Sequence, residues 1–361
     1  MNDIMRRLGG IGIVLVLALA GMTVYGQAEI ITLEKTSEYD IGFDCPVATA
    51  LQPGTGTLWI LMDNCFGGNY SVTPHDVQNG QILGESIPVE AIGDYDIVIS
   101  FGAPLAFVSD HVLQIVFFKD DSYDYSSVRV DITSGAITTD SENDAAVNAL
   151  MRQYTEYPES TYFGPGHRLG MVLAPGSLHV LELATGRLVF EIDVLAADYS
   201  VFPRISDDEQ LLYLPRINEP DNYDSYATTL SIYRLEDGTL METMPLPYPF
   251  IYPNSDDTYA AIIIDDSQLG VVDLSSGAIS ETLDIWEAES RALKCLNNGN
   301  DLSDLDFTKS GQLRLADLTW LPDGTSFTSV NSYGGEGAQS SGGVCIFNYS
   351  RLRQYQVSRG G

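Results

Sequence analysis

The sequence predicts an all-β chain built from one repeated four-stranded unit, and three observations carry that reading. A glycine recurs behind a turn-forming residue: Gly80, Gly135, Gly186, Gly238 and Gly277 follow Asn79, Ser134, Thr185, Asp237 and Ser276. Aliphatic residues flank each glycine, three before it (Val77, Ile132, Leu183, Leu235, Leu274) and two after it (Ile82, Ile137, Leu188, Leu240, Ile279). A second turn lies 20 to 33 residues upstream of each glycine and leads into an apolar run. Examples are Gly54 before Leu58-Trp59-Ile60-Leu61, Gly102 before Leu105-Ala106-Phe107-Val108 and Gly166 before Leu169 to Val172. Asp208 and Asp257 open the same signal before Leu211 to Leu214 and Ala261 to Ile264.

Glycine suits the recurrent turn because a positive φ is costly for a residue with a Cβ. The flanking aliphatics are expected to anchor two paired strands to one buried face. An acid usually stands four residues before the glycine (Asp76, Asp131, Glu182, Asp273), with Arg234 as the exception. The glycines are spaced by 55, 51, 52 and 39 residues, close to the roughly 40 to 50 residues of a propeller blade. A single blade cannot cover both of its faces, so several must pack around an axis. The expectation is a β-propeller of six or seven four-stranded blades with one or two short inserted helices. Six signal pairs are visible, and the stretch after Gly277 has room for a seventh blade or an insertion. A last hairpin is expected over Val344 to Gln354, with Leu352 in the register of the missing turn glycine.

Pro322-Asp323-Gly324, together with Asp273-Leu274-Ser275-Ser276-Gly277, resembles the WD40/YVTN-type β-propeller superfamily, in particular its secreted bacterial members. The resemblance spans about residues 40 to 356. No Trp-Asp dipeptide closes a unit, so WD40 partners are not carried over. Such a resemblance implies a fold and no activity by itself.

At the N-terminus, Arg6 and Arg7 precede the apolar run Leu8 to Val24, with small residues at Gly26 and Ala28. This is the pattern of a secretory signal over residues 1–28, leaving 29–361 as a single propeller domain. An uncleaved anchor is the alternative, since about 20 apolar residues span a bilayer. With cleavage the chain is expected to be secreted, periplasmic or at the cell surface, monomeric and not membrane-bound. Glu29 to Tyr39 alternates Ile31 and Leu33 with polar residues and is expected to close the ring as the N-terminal strand of the last blade.

The chain carries 18 Lys+Arg against 50 Asp+Glu, a formal charge of −32. Phosphate binding needs clustered positive charge, which excludes nucleic-acid partners. Hydrophobic residues at 44% and 20 tyrosines argue for a packed core rather than acidic disorder. Cys45, Cys65, Cys295 and Cys345 allow two disulfides in an exported chain, with Cys45–Cys65 and Cys295–Cys345 the favoured pairing and free buried thiols the alternative. Helical spacing marks Asn143 to Tyr154, with Asn143 as cap, and Ile285 to Leu296.

Three acidic segments are candidates for calcium: 120–124, 221–224 and 300–306. The last, with Asp301, Asp304 and Asp306, is the best of them, because carboxylates close together on a turn supply several oxygens. None follows the Asp-x-Asp-x-Asp-Gly pattern, and solvated loop acids are the plain reading. His75, His111, His167 and His179 show no metal-ligand spacing and are expected in structural or surface roles, His179 on the less buried side of its strand. No Gly-x-Ser-x-Gly elbow occurs, and the glycine-rich stretch 334–343 reads as a hairpin tip. No catalytic residue is assigned. The leading function is a non-enzymatic scaffold binding protein, peptide or glycan, supported by loop aromatics such as Phe66, Tyr154, Tyr223 and Tyr252. The alternatives are a calcium-dependent hydrolase or lactonase working in the axial channel, and an envelope module with no discrete ligand.

Overall fold

The computed structural model describes residues 30–42, 45–63, 69–90, 97–98, 103–119, 124–155, 161–194, 202–217, 228–246, 250–264, 268–284, 296–297, 300–301, 312–338 and 344–360. They form six four-stranded antiparallel blades in a propeller ring. Blade 1 runs Cys45–Leu51, Thr57–Asp63, Tyr70–Asp76 and Ile87–Pro88. In blade 2 the innermost position is shared by Ile97–Val98 and Leu105–Ser109, both paired with Val112–Lys119; Tyr125–Asp131 and Ile137–Thr139 complete it. Blade 3 is Thr161–Phe163, Leu169–Ala174, Ser177–Glu182 and Arg187–Asp193. Blade 4 is Arg204–Ile205, Leu211–Ile217, Thr228–Arg234 and Leu240–Leu246. Blade 5 is Phe250–Pro253, Tyr259–Ile264, Gln268–Asp273 and Leu283–Asp284.

Blade 6 combines both ends of the described chain. Gln312–Trp320, Ser326–Ala338 and Val344–Gly360 are followed in the sheet by Ile30–Gly42. This last pairing runs from Ile30 opposite Gly360 to Gly42 opposite Ser350. The expected hairpin at Val344 to Gln354 is therefore absent. Val344–Gly360 is one strand, and Leu352 is buried between Val330 and Tyr39. No turn glycine is needed there, because the fourth strand arrives from the other end of the chain. Gly334 to Ala338 is the end of a strand paired with Val344 to Asn348 rather than loop, while 339–343 lie outside the described residues.

Hydrophobic clusters fill each seam between blades. Blades 1 and 2 meet through Trp59, Leu113 and Phe117, blades 2 and 3 through Phe118, Phe163 and Leu181, and blades 3 and 4 through Met171, Val180 and Leu212. Blades 4 and 5 share Leu230 and Ile262, blades 5 and 6 share Val271, Trp320, Phe327 and Tyr355, and blades 6 and 1 share Ile60, Val330 and Leu352. Side chains alternate between the two faces of a strand, so each blade supplies half of two cores. That makes the ring interdependent.

The five turn glycines sit at φ between +69° and +71°. Each N–H donates to the carbonyl four residues back, at 2.8 to 2.9 Å. The acid at that position also caps the turn: Asp131 Oδ1 accepts from Thr133 and Ser134 N–H, and Asp273 Oδ1 from Ser275 and Ser276 N–H. In blade 4, where Arg234 replaces the acid, Asp237 accepts from Thr239 N–H instead. The aliphatics before the glycines are buried in four blades and half-buried at Ile132. Those after the glycines are not: Ile82 is 59% and Leu240 52% exposed. The outermost strand starts at the rim, where no further blade edge covers it, so only one side of each turn is anchored.

The helix Ser141–Met151 connects blades 2 and 3 and packs Val147, Leu150 and Met151 into their seam. Its cap is Asp140, whose Oδ1 accepts from Asn143 N–H, so the helix begins earlier than an Asn143 cap would give. The second expected helix falls largely outside the described residues; Leu296 itself belongs to a two-residue strand paired with Asn300–Asp301. Among the described residues, no helix is long and apolar enough to cross a membrane. The apolar run before residue 30 is outside them.

Candidate functional site: the axial cavity

The first strands of all six blades converge on one cavity of about 490 Å³. Its wall is made of Thr49 to Leu51, Leu105 to Phe107, Phe163, Arg204 and Ile205, Tyr252 and Pro253, and Asp317 to Trp320. The turns that follow these strands form its rim, including Pro165, Gly166, Asp207 and Ser255.

That rim has a repeated construction. Among the described residues, His167, Glu209 and Asp257 are the non-glycine residues with positive φ, at 52°, 53° and 57°, and occupy equivalent turns of blades 3, 4 and 5. Gly324 takes the same place in blade 6, at φ 67°. A non-glycine residue pays for this backbone region only where its surroundings hold it there. Here each of the four reaches back one blade. His167 Nε2 donates to the Ala103 carbonyl. Glu209 Oε2 accepts from Arg168 Nε at 2.5 Å. Asp257 Oδ1 accepts from the Tyr213 hydroxyl at 2.6 Å, and the Gly324 carbonyl accepts from Asn254 Nδ2 at 2.7 Å. Gly164 and Gly166 leave room for Glu209, whose Oε1 would lie 3.2 and 3.1 Å from added Cβ atoms.

Inside the cavity two charged groups, Arg204 and Asp317, stand against apolar walls. Arg204 lies over the Tyr252 ring, 4.3 Å from its centroid, within cation–π range. Asp317 joins blade 6 to blade 1: its Oδ2 accepts from Thr49 N–H at 2.8 Å and from Thr49 Oγ1 at 2.9 Å. Its Oδ1 accepts from its neighbour's backbone, Leu318 N–H, at 2.8 Å. Burial pushes the Asp317 carboxyl above its ordinary pKa, against the pull of Arg204 and these donors. Asp317 is half-buried, because one side of its carboxyl borders the cavity. Asp207 at the rim is raised as well, by burial and then by the adjacent Asp208 carboxylate. Trp320 Nε1 donates to the Tyr252 carbonyl and fixes that corner.

The residues singled out from sequence do not converge here. Asp301 belongs to the short strand Asn300–Asp301, and Asp304 and Asp306 lie outside the described residues, as do 120–123 and 221–224. Among the described residues no three His, Cys, Asp or Glu side chains gather as a metal site. Cys45 is disulfide-bonded; Cys65 and Cys295 are outside the described residues, and Cys345 lies in the strand Val344–Gly360. The histidines are scattered. His75 is buried with Nδ1 on the Gly80 carbonyl, His111 faces Asp131 at 3.9 Å, and His167 is a rim latch. His179 is 8% exposed rather than on an open side, held between Ser177 and Tyr154. Among the described aromatics, Tyr252 reaches the cavity wall, whereas Tyr70, Tyr125 and Tyr162 are buried in seams.

Arg204 and Asp317 escaped sequence reasoning. Inner strands as short as Arg204–Ile205 show no alternation to read, and Asp317 looks like one more acid in a chain of 50. No family model matches the chain, and no curated protein is found similar to it.

Proposed function

We propose that the chain is an exported binding scaffold of WD40/YVTN type that takes a protein, peptide or glycan ligand at the axial mouth. The supporting observation is the cavity itself: six inner strands converge on an apolar, aromatic wall carrying Arg204 and Asp317. Such mixtures of apolar surface and a few placed polar groups are what ligand sites use. The N-terminal pattern and the acid-rich composition support export, with residues 1–28 as the signal, 29–361 as one domain, and a monomer in the periplasm, at the surface or outside the cell. The Cys45 disulfide accords with an oxidising compartment.

The calcium-dependent hydrolase is the second reading, because two carboxylates, Asp207 and Asp317, border the same cavity. Asp317 is already committed to three donors, two from Thr49 that bind its blade to blade 1 and one from its neighbour Leu318, which favours a structural task over cation ligation. Panning a random peptide library and a glycan array with the mature chain tests the first reading. Ligands retained by the wild type and lost by Arg204→Ala and Tyr252→Ala are expected. Ligands unaffected by both variants would move the site away from the axis.

A further inference from the structure

Ser177, His179 and Glu191 stand in a row on the third blade. Residues two apart on a strand share a face, and Glu191 is the direct cross-strand partner of His179. Ser177 Oγ lies 2.8 Å from His179 Nε2, and His179 Nδ1 lies 3.9 Å from Glu191 Oε2. The Tyr154 ring packs on the imidazole with 4.5 Å between centroids. Burial holds His179 below the ordinary histidine pKa, partly offset by the Glu191 charge, so the imidazole is neutral at neutral pH and free to take a proton. Its Nδ1 has no hydrogen-bond partner, which leaves Glu191 as the carboxylate placed to receive that hydrogen. Gly176, just before the serine, has φ 89°, and a Cβ there would meet nothing within 4 Å. The approach beside Ser177 is open. None of these residues lines the axial cavity.

We infer that Ser177 is a nucleophile activated by His179, with Glu191 positioning the imidazole, and that this row transfers acyl groups from small carboxylic esters. The distance from nucleophile to base is within the productive range of about 2.6 to 3.2 Å. The Glu191 separation is longer, as base–orienter contacts often are before substrate binds. Ser177 Oγ attacks the ester carbonyl carbon as its proton passes to His179 Nε2. The bond to the alkoxide oxygen breaks, and that oxygen leaves with the proton as the alcohol. Water then adds to the acyl-serine and gives a proton to Nε2, and Ser177 Oγ recovers it as the carboxylic acid departs. One ester and one water become one acid and one alcohol. Gly176 N–H, in the turn before Ser177, is the candidate donor to the developing oxyanion.

The test is covalent labelling of the full chain with a fluorophosphonate, followed by peptide mass mapping and by release of p-nitrophenol from p-nitrophenyl acetate. An adduct on Ser177 is expected, absent in Ser177→Ala and slowed about 100-fold in His179→Gln, the scale of general-base catalysis. Glu191→Gln is expected to shift the pH midpoint of labelling downward, since its charge raises the His179 pKa. Labelling spread evenly over unrelated serines would overturn the inference. So would an unchanged Ser177 rate in His179→Gln protein that melts like the wild type. An unmoved midpoint in Glu191→Gln would remove Glu191 from its part. Ligand capture at Arg204 and Tyr252 is a separate measurement, unaffected by either result.

Discussion

Acidification should loosen the seam between blades 2 and 3 through His167. The imidazole is 8% exposed, donates from Nε2 to the Ala103 carbonyl, and leaves Nδ1 without a partner. Burial lowers its pKa to about 4 despite the Ala103 bond, with Arg129 acting in the same direction as burial. An unfolded histidine titrates near 6.5. With the folded pKa depressed, the stability due to neutral His167 is fully present above about pH 6.5 and is lost as pH falls toward 4. Linkage gives a loss of about 2 kcal/mol by pH ~5 and about 3 kcal/mol in the acid limit. The perturbation is His167→Asn, since asparagine tolerates the left-handed φ of 52°. The whole-protein pH profile is not diagnostic. Asp144, Asp207, Asp257 and Asp317 have raised pKa values, so each adds stability as pH falls, the opposite sign. The assay is therefore the difference between wild type and variant in urea unfolding, followed by fluorescence of the three tryptophans. The wild-type advantage should shrink by about 2 kcal/mol between pH ~7.5 and ~5. Parallel profiles, within about 0.5 kcal/mol, would refute the assignment of a neutral, buried latch.

Other outcomes follow from the same geometry. Gly277→Ala meets no neighbour but keeps φ 69°, and should cost about 1 to 2 kcal/mol. Gly80→Ala has the same φ and would also set its Cβ 2.4 Å from Tyr39 Cβ, adding about 1 to 3 kcal/mol of overpacking; equal costs by denaturant melts would contradict the close approach. Removing residues 29–40 takes Ile31 and Leu33 from the seam between blades 5 and 6 and uncovers the edge of Val344–Gly360, so the truncated chain should unfold at a clearly lower temperature; identical melting would show the ring does not depend on that strand. Phe327→Ala, at a fully buried position, should cost about 3 to 5 kcal/mol. Non-reducing peptide maps are expected to recover Cys45 joined to Cys65, and calcium should add nothing to lactone hydrolysis; calcium-dependent turnover that requires Asp301, Asp304 and Asp306 would establish the second functional reading.

The site was far less legible than the fold. Val77, Leu183, Leu235 and Leu274 announce a buried position before four of the five turns because local sequence decides which side of a hairpin faces a core. Ile82 and Leu240 carry the same aliphatic signal yet are exposed, since the pattern does not say that they stand at the rim. His179 and Glu191 are twelve residues apart in a chain rich in acids, and only the strand register sets them opposite each other.

Local sequence by itself determined the turns, the strand count per unit and the need for several units. A positive φ at a glycine and an apolar side chain on one face are properties of neighbouring residues. Only the tertiary structure decided that there are six blades and that Arg204, Tyr252 and Asp317 meet at the axis. Those meetings join residues up to 113 positions apart, and their distances are fixed by how blades pack around a ring. No short window of sequence holds that information.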